Sequence, residues 1–589
     1  MSTRPASATP TRRHARTTSP ARARTLPPVP AQRRPAPDAL STLQGVAANL
    51  SLAQCARLLT GLLWLGWADW WLHQPGVAGA PLAAVLVAGA ATAVLGASVV
   101  VRDAAMQRRL DAVLVAGTVL IVLVAGTASG MQTGYGTDEL AFGQYAAARL
   151  LNGVNPYTVD LTASLQQYGV SGGGTLTLGG TFVHQLSYPA LSFLAYAPAV
   201  ALLGEHSYAA LLMDLAAWAA AGGLLWKLMS VALRPWVPIL LGVPVLFVAV
   251  VTGTNDSLYI PFELLAVCCW DRFGDPRERS VARWIGPVAL GLACGLKQQP
   301  WLIAPFLLMG VAVEAHARGQ DWRRVVGRYV GVAGAVFAAP NIPFIVIDPG
   351  AWLSGVLTPV ASHIVPAGVG PASLLRAYSI GGGNLVLFAV AAGTALLAAL
   401  ALFARHYRTL RGLVPVLPLA ALFVSSRSYG SYLAFAVPAI AVAAASLRPG
   451  ADLPLGAGLR RLLSLAGSAL AAATLVSVAL ALSVPAPARV AVTSSHVDQG
   501  TLTALVTVDN TSAQSISPHF ILDKDTTLQQ PMQAVGGPQS LAPYSSATYT
   551  LTAPGMVLTP RQGEAFQVQV STLAPDTIAS SAPATVGGP

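Results

Sequence analysis

Residues 81–139 read PLAAVLVAGAATAVLGASVVVRDAAMQRRLDAVLVAGTVLIVLVAGTASGMQTGYGTDE. Two apolar runs flank one short basic loop, and the second run ends just before adjacent carboxylates, Asp138 and Glu139. Runs of this length predict helices that cross ~30 Å of hydrocarbon; strands would alternate apolar with polar residues. Runs of the same kind fall at 52–72, 78–101, 112–129, 188–204, 207–230, 237–252, 257–270, 284–296, 300–315, 327–347, 384–404, 412–424, 431–447 and 462–484. In a chain of 589 residues, 54% hydrophobic and 10% charged, they exclude an ordinary soluble protein. The reading is a polytopic α-helical membrane protein of about 13–14 transmembrane helices, spanning residues 50–484.

The formal charge of +11 does not point to nucleic acid, because residues 1–38 alone carry eight Arg and one acidic residue. This Pro/Ala/Thr-rich stretch, 1–40, predicts a disordered cytoplasmic tail that sets topology or meets anionic membrane lipids. No apolar core follows closely enough for a cleavable signal peptide. The four cysteines, Cys55, Cys268, Cys269 and Cys294, lack metal-ligand spacing and read as small buried hydrophobes.

Basic loops at 102–109, 271–283, 316–324, 404–411 and 448–461 should face the cytoplasm. That orientation places the loop 130–187, the loop 348–383, the loop 425–430 and the C-terminus outside. The count conflicts in the middle: an odd number of crossings is needed between 187 and 271, whereas four apolar segments lie there. One of the four must be re-entrant, merged or in-plane.

From Pro485 the pattern changes to apolar/polar alternation rich in Thr and Val, with Asn/Gly turns. It predicts an extracytoplasmic β-sandwich over 487–578, followed by a frayed end at 579–589.

The stretch TDELAFGQYAAARLLNGVNPY, 137–157, predicts a helix capped by Thr137, with Asp138 and Glu139 in its first turn. Leu140, Ala147, Leu150 and Leu151 form an apolar stripe suited to the membrane surface. Favourable charge–dipole contact alone accounts for two acids there. Lys297, in KQQP between two apolar runs, should lie near the outer face, where it snorkels or meets an anion, and Pro300 should open the next helix. Asn255 and Asp256 interrupt an apolar run and read as a helix cap or as part of a site. Asp214 and Glu263 should face protein or a water-filled cavity. Arg427, on the less positive side, suits bidentate phosphate binding, with Tyr429 and Tyr432 at the same boundary. His363 and His184 are outer-loop candidates. GGGTLTLGG, 172–180, reads as a hairpin or flexible segment. No Walker, dinucleotide or HExxH pattern is present in a supporting context, so ATP-driven transport, Rossmann chemistry and zincin proteolysis lack support.

The acidic pair in a long outer loop, followed by LLNGVNPY and YPALSFLAYAPAVALLG and later by GLACGLKQQPWLIAPFLLMG, resembles the membrane-embedded GT-C glycosyltransferases. It is most similar to the bacterial polyprenol-phosphate-mannose-dependent mannosyltransferases, over most of residues 130–450. The resemblance implies transfer of a sugar from a polyprenyl-phosphate donor to a lipid or cell-envelope glycan acceptor outside the membrane. It implies a base in the first outer loop: Asp138, with Glu139 as second base, metal ligand or acceptor contact. It leaves room for a divalent cation, and it puts Lys297, Arg427 and His363 toward the phosphate. One departure stands: the acids follow a third apparent crossing where the superfamily has them after the first. The alternatives are a transporter or flippase of lipid-linked sugars or polymer, and a structural protein presenting its β-domain.

Overall fold

The computed structural model describes residues 50–587 except 75–76, 171–173, 279, 362, 447–455, 525–528 and 554–558. The tail expected at 1–40 lies outside the described residues. The longer helices are α1 (Leu52–Leu72), α2 (Ala80–Val100), α3 (Ala104–Thr133), α4 (Asp138–Leu151), α5 (Ala209–Leu228), α6 (Ile260–Cys269) and α7 (Ile285–Leu296). They continue with α8 (Gln299–Ala317), α9 (Trp322–Ile347), α10 (Pro349–Ala361), α11 (Val386–Arg405), α12 (Gly430–Ala445) and α13 (Ala457–Ser483). Among the described residues, seven helices are long and apolar enough to cross a membrane: α2, α3, α5, α8, α9, α11 and α13. An eighth arises if Arg234–Gly242 and Pro244–Thr252, bent by 58° at their junction, form one span.

This is fewer than the 13–14 expected: several runs, among them Leu191–Leu203, Ile260–Cys269 and Gly430–Ala445, form helices shorter than a span, and proline accounts for two more. The run at 237–252 breaks at Pro244, and the run at 412–424, which holds Pro415 and Pro418, keeps only Leu419–Val424 as α-helix. A hydropathy window registers apolar residues whether or not the helix through them is continuous. Elsewhere the bundle has the character of a membrane protein. Leu82, Val85, Leu86, Val99 and Val100 of α2 point outward, an apolar exterior too large for a protein that faces water alone. Inside, small residues let helices approach: Gly126 and Gly130 of α3 sit against Leu215 and Leu211 of α5. Arg57 and Asp111 form a buried bidentate pair, 2.6 and 3.0 Å, between α1 and α3.

The C-terminal strands are β3 (Ala488–Asp498), β4 (Thr501–Asn510), β5 (His519–Asp523), β6 (Gln529–Gly536), β7 (Ser546–Ala553), β8 (Ala565–Leu573), β9 (Asp576–Ser580) and β10 (Ala584–Thr585); β1 (Ala367–Gly368) and β2 (Arg427–Ser428) belong to the membrane domain's loops. Rather than two separate sheets, the eight form one antiparallel sheet ordered β10-β8-β5-β6-β7-β4-β3, with β9 on β8. Strand β6 makes the bend. Its Gln529–Met532 half pairs with β5 and its Gln533–Gly536 half with β7, with an irregularity between Ala534 and Gly536. The sheet thus curls around Leu502, Val506, Phe520, Leu551, Phe566 and Val568, and its ends meet where Ser495 Oγ donates to Thr585 O at 3.2 Å. The expected frayed end is a correction: β10 pairs with β8 and Val586 is buried, so 579–587 completes the core.

Candidate functional site

The start of α4 is fastened to the turn after the bent helix pair. Gly136 N–H donates to Thr252 O at 2.8 Å, and Thr137 Oγ1 donates to Gly253 O at 2.5 Å. Thr137 therefore stands at the cap position without capping, its hydroxyl turned to another element. Gly253 has φ +82° and lies against Leu140, so a side chain there meets both backbone strain and a clash. Helix α4 does not lie on the surface. Leu140 through Gln144 and Ala146 through Ala148 are buried, because the small residues of AFGQYAAA admit neighbours on every side. The expected surface stripe is corrected accordingly.

The two carboxylates diverge, as neighbours about 100° apart on a helix must. Glu139 turns to Lys297, whose Nζ donates to Glu139 Oε2 at 3.0 Å and to Asn255 Oδ1 at 2.6 Å and lies 2.6 Å from Asp256 Oδ1. Lys297 sits in extended backbone between α7 and α8, and Pro300 opens α8. An ammonium has three hydrogens, and three oxygens surround this one. The rings of Tyr188 and Tyr432 flank it at 5.3 and 5.6 Å. Burial pulls the Lys297 ammonium down, but Asp256 and Glu139 outweigh it and keep the group charged. Lys297 neither snorkels nor keeps a hydrogen for a phosphate. Asn255 and Asp256 form a 3₁₀ turn without a side-chain cap, serving the lysine instead; Gln299 Nε2 adds a bond to Asp256 Oδ1 at 3.3 Å.

Asp138 turns the other way. Its Oδ2 accepts the Thr175 N–H at 2.7 Å. Arg427 Nη2 donates to Thr175 Oγ1 at 3.4 Å and to Tyr429 Oη at 3.0 Å, with its guanidinium over the Tyr429 ring. Among the described residues no carboxylate lies within ion-pair distance of Arg427, and its Nε and the Ser428 Oγ are buried without a partner. Burial and then the neighbouring Glu139 push the Asp138 carboxyl above its ordinary value, against the Thr175 bonds and Arg427. The result is a half-buried carboxylate of raised proton affinity joined through Thr175 to a cation that makes no ion pair among the described residues.

Of the residues singled out by sequence, Asp138, Glu139, Asn255, Asp256, Lys297, Arg427 and Tyr429 converge. Two do not. His363 is exposed and pairs through Nδ1 with Asp576 Oδ2 of the C-terminal sheet at 2.6 Å. His184 is exposed, and its carbonyl takes the Leu161 N–H. Asp214 accepts from Tyr196 Oη at 2.8 Å, and Glu263 is buried; both face protein. Among the described residues no group of three or more His, Cys, Asp or Glu is arranged to hold a metal ion, and Lys297 occupies the point where Glu139 and Asp256 converge. Sequence reasoning missed Thr175, Tyr188 and Gln299. Thr175 lies in a Gly-rich stretch without chemistry of its own, while Tyr188 and Gln299 stood beside residues that drew the attention. Compared with protein-family models, with curated proteins and with solved structures, the chain matches none.

Proposed function

We propose that the protein is an integral membrane glycosyltransferase of GT-C type. It transfers a sugar from a polyprenyl-phosphate donor to a lipid or cell-envelope glycan acceptor, at the bundle end that carries Asp138. One observation carries the reading: a carboxylate of raised proton affinity, Asp138, is joined through Thr175 to Arg427, a half-buried cation with no carboxylate within ion-pair distance among the described residues. Burying a lone guanidinium is costly unless an anion completes it. A base beside an anion site is what glycosyl transfer from a phosphate requires.

In that reaction the acceptor hydroxyl attacks the anomeric carbon and gives its proton to Asp138. The bond from the anomeric carbon to the phosphate oxygen breaks, and the leaving phosphate takes its negative charge onto Arg427. Lys297, saturated by its partners, holds Glu139 and Asp256 in place and does not receive the phosphate.

The orientation follows from the loops. Those at 271–283, 316–324 and 404–411 meet at one end of the bundle, where Arg411 and Arg318 bond Asp271, and the positive-inside tendency makes that end cytoplasmic. In the middle of the chain two apolar segments are shorter than a span. The segment Leu191–Leu203 is a short apolar helix pair, about 20 Å at 1.5 Å per residue, against ~30 Å of hydrocarbon. It packs on α4, and Ile260–Cys269, at 10 residues, is shorter still, so the orientation rests on the basic loops. The N-terminus is then cytoplasmic, and the site and C-terminal sheet are extracytoplasmic, at the plasma membrane.

A flippase of lipid-linked sugars is the second reading, favoured by the bent pair Arg234–Gly242 and Pro244–Thr252 and by buried Asp214. Membranes carrying wild type or Asp138→Asn, supplied with labelled polyprenyl-phosphate sugars, separate the two. Transfer lost in a folded Asp138→Asn protein supports the base. Transfer at the wild-type rate overturns that assignment, and no transfer from any donor with label crossing the bilayer supports the flippase.

A further inference from the structure

We propose that the C-terminal sheet is a working part of the site, and that Thr175 is the positioning residue through which it acts on Asp138. The inference rests on the reading of Asp138 as the base, but its contacts are independent of it. Two routes run from the sheet to Thr175.

The first passes through the hairpin around 175–183, which closes on itself where Thr177 N–H donates to Thr181 O and Leu176 bridges Phe182. Its outer side rests on the sheet. Ser571 Oγ of β8 donates to Leu178 O at 2.7 Å, and Leu176 and Leu178 share a core with Ile521 and Ile578. Its near end supplies the Thr175 N–H to Asp138.

The second passes through the outer loop between α10 and α11. Arg376 donates from Nε and Nη2 to Asp523 Oδ2 of β5 at 3.0 and 2.7 Å, and Gln569 Nε2 reaches the same oxygen at 2.7 Å. This ion pair is 4% and 1% exposed. The loop's strand β1 pairs in parallel with β2, setting Ala367 opposite Arg427 and Gly368 opposite Ser428. Ile364 bridges Thr177, and Val365 N–H donates to Leu176 O at 3.0 Å. Hairpin, loop and Arg427 strand therefore form one strip, fixed to the sheet from both sides. Thr175 stands where the routes meet, its N–H on Asp138 and its Oγ1 taking a bond from Arg427.

A module merely appended to the membrane domain needs only the connection after α13. A buried charge pair aimed at the loop behind the site serves rigidity at that site. The sheet's contact face is also covered by the hairpin, so a glycan cannot occupy it.

The test uses the full chain in nanodiscs, with amide hydrogen exchange and carbodiimide labelling of Asp138 followed against pH. Neither readout needs turnover. Asp523→Asn, and the milder Ser571→Ala in case the first fails to fold, should speed exchange in 174–183 and leave α2 and α3 unchanged. Thr175→Val should leave exchange in the sheet unchanged. The charged groups facing Asp138 are Glu139 beside it and Arg427 across the strip, with Lys297 and Asp256 acting through Glu139. With those unaltered, loss of the Thr175 hydroxyl, which takes the bond that holds Arg427, should move the labelling curve to higher pH, because Arg427 favours the carboxylate. Where transfer is measurable, Asp523→Asn should lower kcat by up to about 10²-fold, the effect of a small misplacement at a reacting group. If the sheet loosens while exchange in 174–183 and the labelling curve stay as in wild type, the positioning role is overturned. If both shift but no donor supports transfer, the positioning stands and the glycosyltransferase reading falls.

Discussion

Helix α8 ends in two buried ion clusters about 25 Å apart, and they are built differently. At its C-terminal end Arg411 meets Asp271 at 2.6 Å and Glu314 at 3.5 Å, Arg318 meets Glu314 at 3.8 Å, and Tyr407 Oη donates to Glu314 at 2.9 Å. Among the described residues every charge of this cluster has an opposite partner. At the N-terminal end, Lys297 and Arg427 share their surroundings with Asp138, Glu139 and Asp256. Three acids face two bases, one base makes no ion pair among the described residues, and two of the acids, Asp138 and Asp256, have their proton affinity raised by burial. A cluster that only tied helices together gains nothing from such imbalance, since every unmatched buried charge costs free energy. The balanced end reads as a strut and the unbalanced end as a site.

The largest effect should come from substituting one residue at each end. Asp138→Asn should lower transfer by about 10²–10⁴-fold, the range for loss of a positioned base, with thermal stability held or raised. Glu314→Gln at the other end should cost about 1.5–3 kcal/mol of stability, the scale of charged hydrogen bonds, while transfer per folded molecule stays at the wild-type level. Equal loss of activity in both variants would erase the distinction between strut and site.

Next comes Lys297→Met, which leaves Glu139 and Asp256 without their counter-ion. Breaking a buried pair in this way costs about 3–5 kcal/mol, read as a lowered thermal midpoint, and adding Asp256→Asn should recover part of it. Arg427→Gln is expected to behave differently, because Arg427 has no carboxylate to abandon. Its effect should be on donor affinity, with KM raised about tenfold or more and the midpoint little changed. A stability loss at Arg427 as large as at Lys297 would show that its cation serves the fold.

Much of the bundle was legible because a membrane helix writes itself locally, in composition. The bent pair before Gly253 and the short helix at 419–424 were not, since proline breaks a helix without changing its hydropathy. Within the site, Asp138, Lys297 and Arg427 stood out as charges where charge is expensive. The division of labour among them could not be read, because it depends on Asn255 and Asp256 filling the lysine's remaining hydrogens. His363 looked equally good in sequence and belongs elsewhere, for its partner, Asp576, is 213 residues away. Thr175 shows the reverse: an ordinary residue in a Gly-rich stretch, made important by a sheet whose docking face no local pattern announces.

The smallest effect expected is also the one that tests the imbalance most directly, since it requires no substitution at first. Asp138 is held above its ordinary value of 3.8 by burial and by Glu139. A carboxylate with a raised folded-state pKa favours the fold when protonated, so its contribution to stability is present below the unfolded value and is lost as pH rises through the folded one. Its contribution to transfer runs the other way: the base must be ionised, so the rate falls as pH drops through that same folded-state value. Activity and thermal midpoint measured against pH should therefore cross in one window, above the ordinary carboxylate range. Asp138→Asn should remove that component of the stability curve, and Glu314→Gln should leave the window where it was. A transfer rate that stays level down to the ordinary carboxylate range, about 3.9, would mean that the acid held at the unbalanced end is not the one that takes the proton.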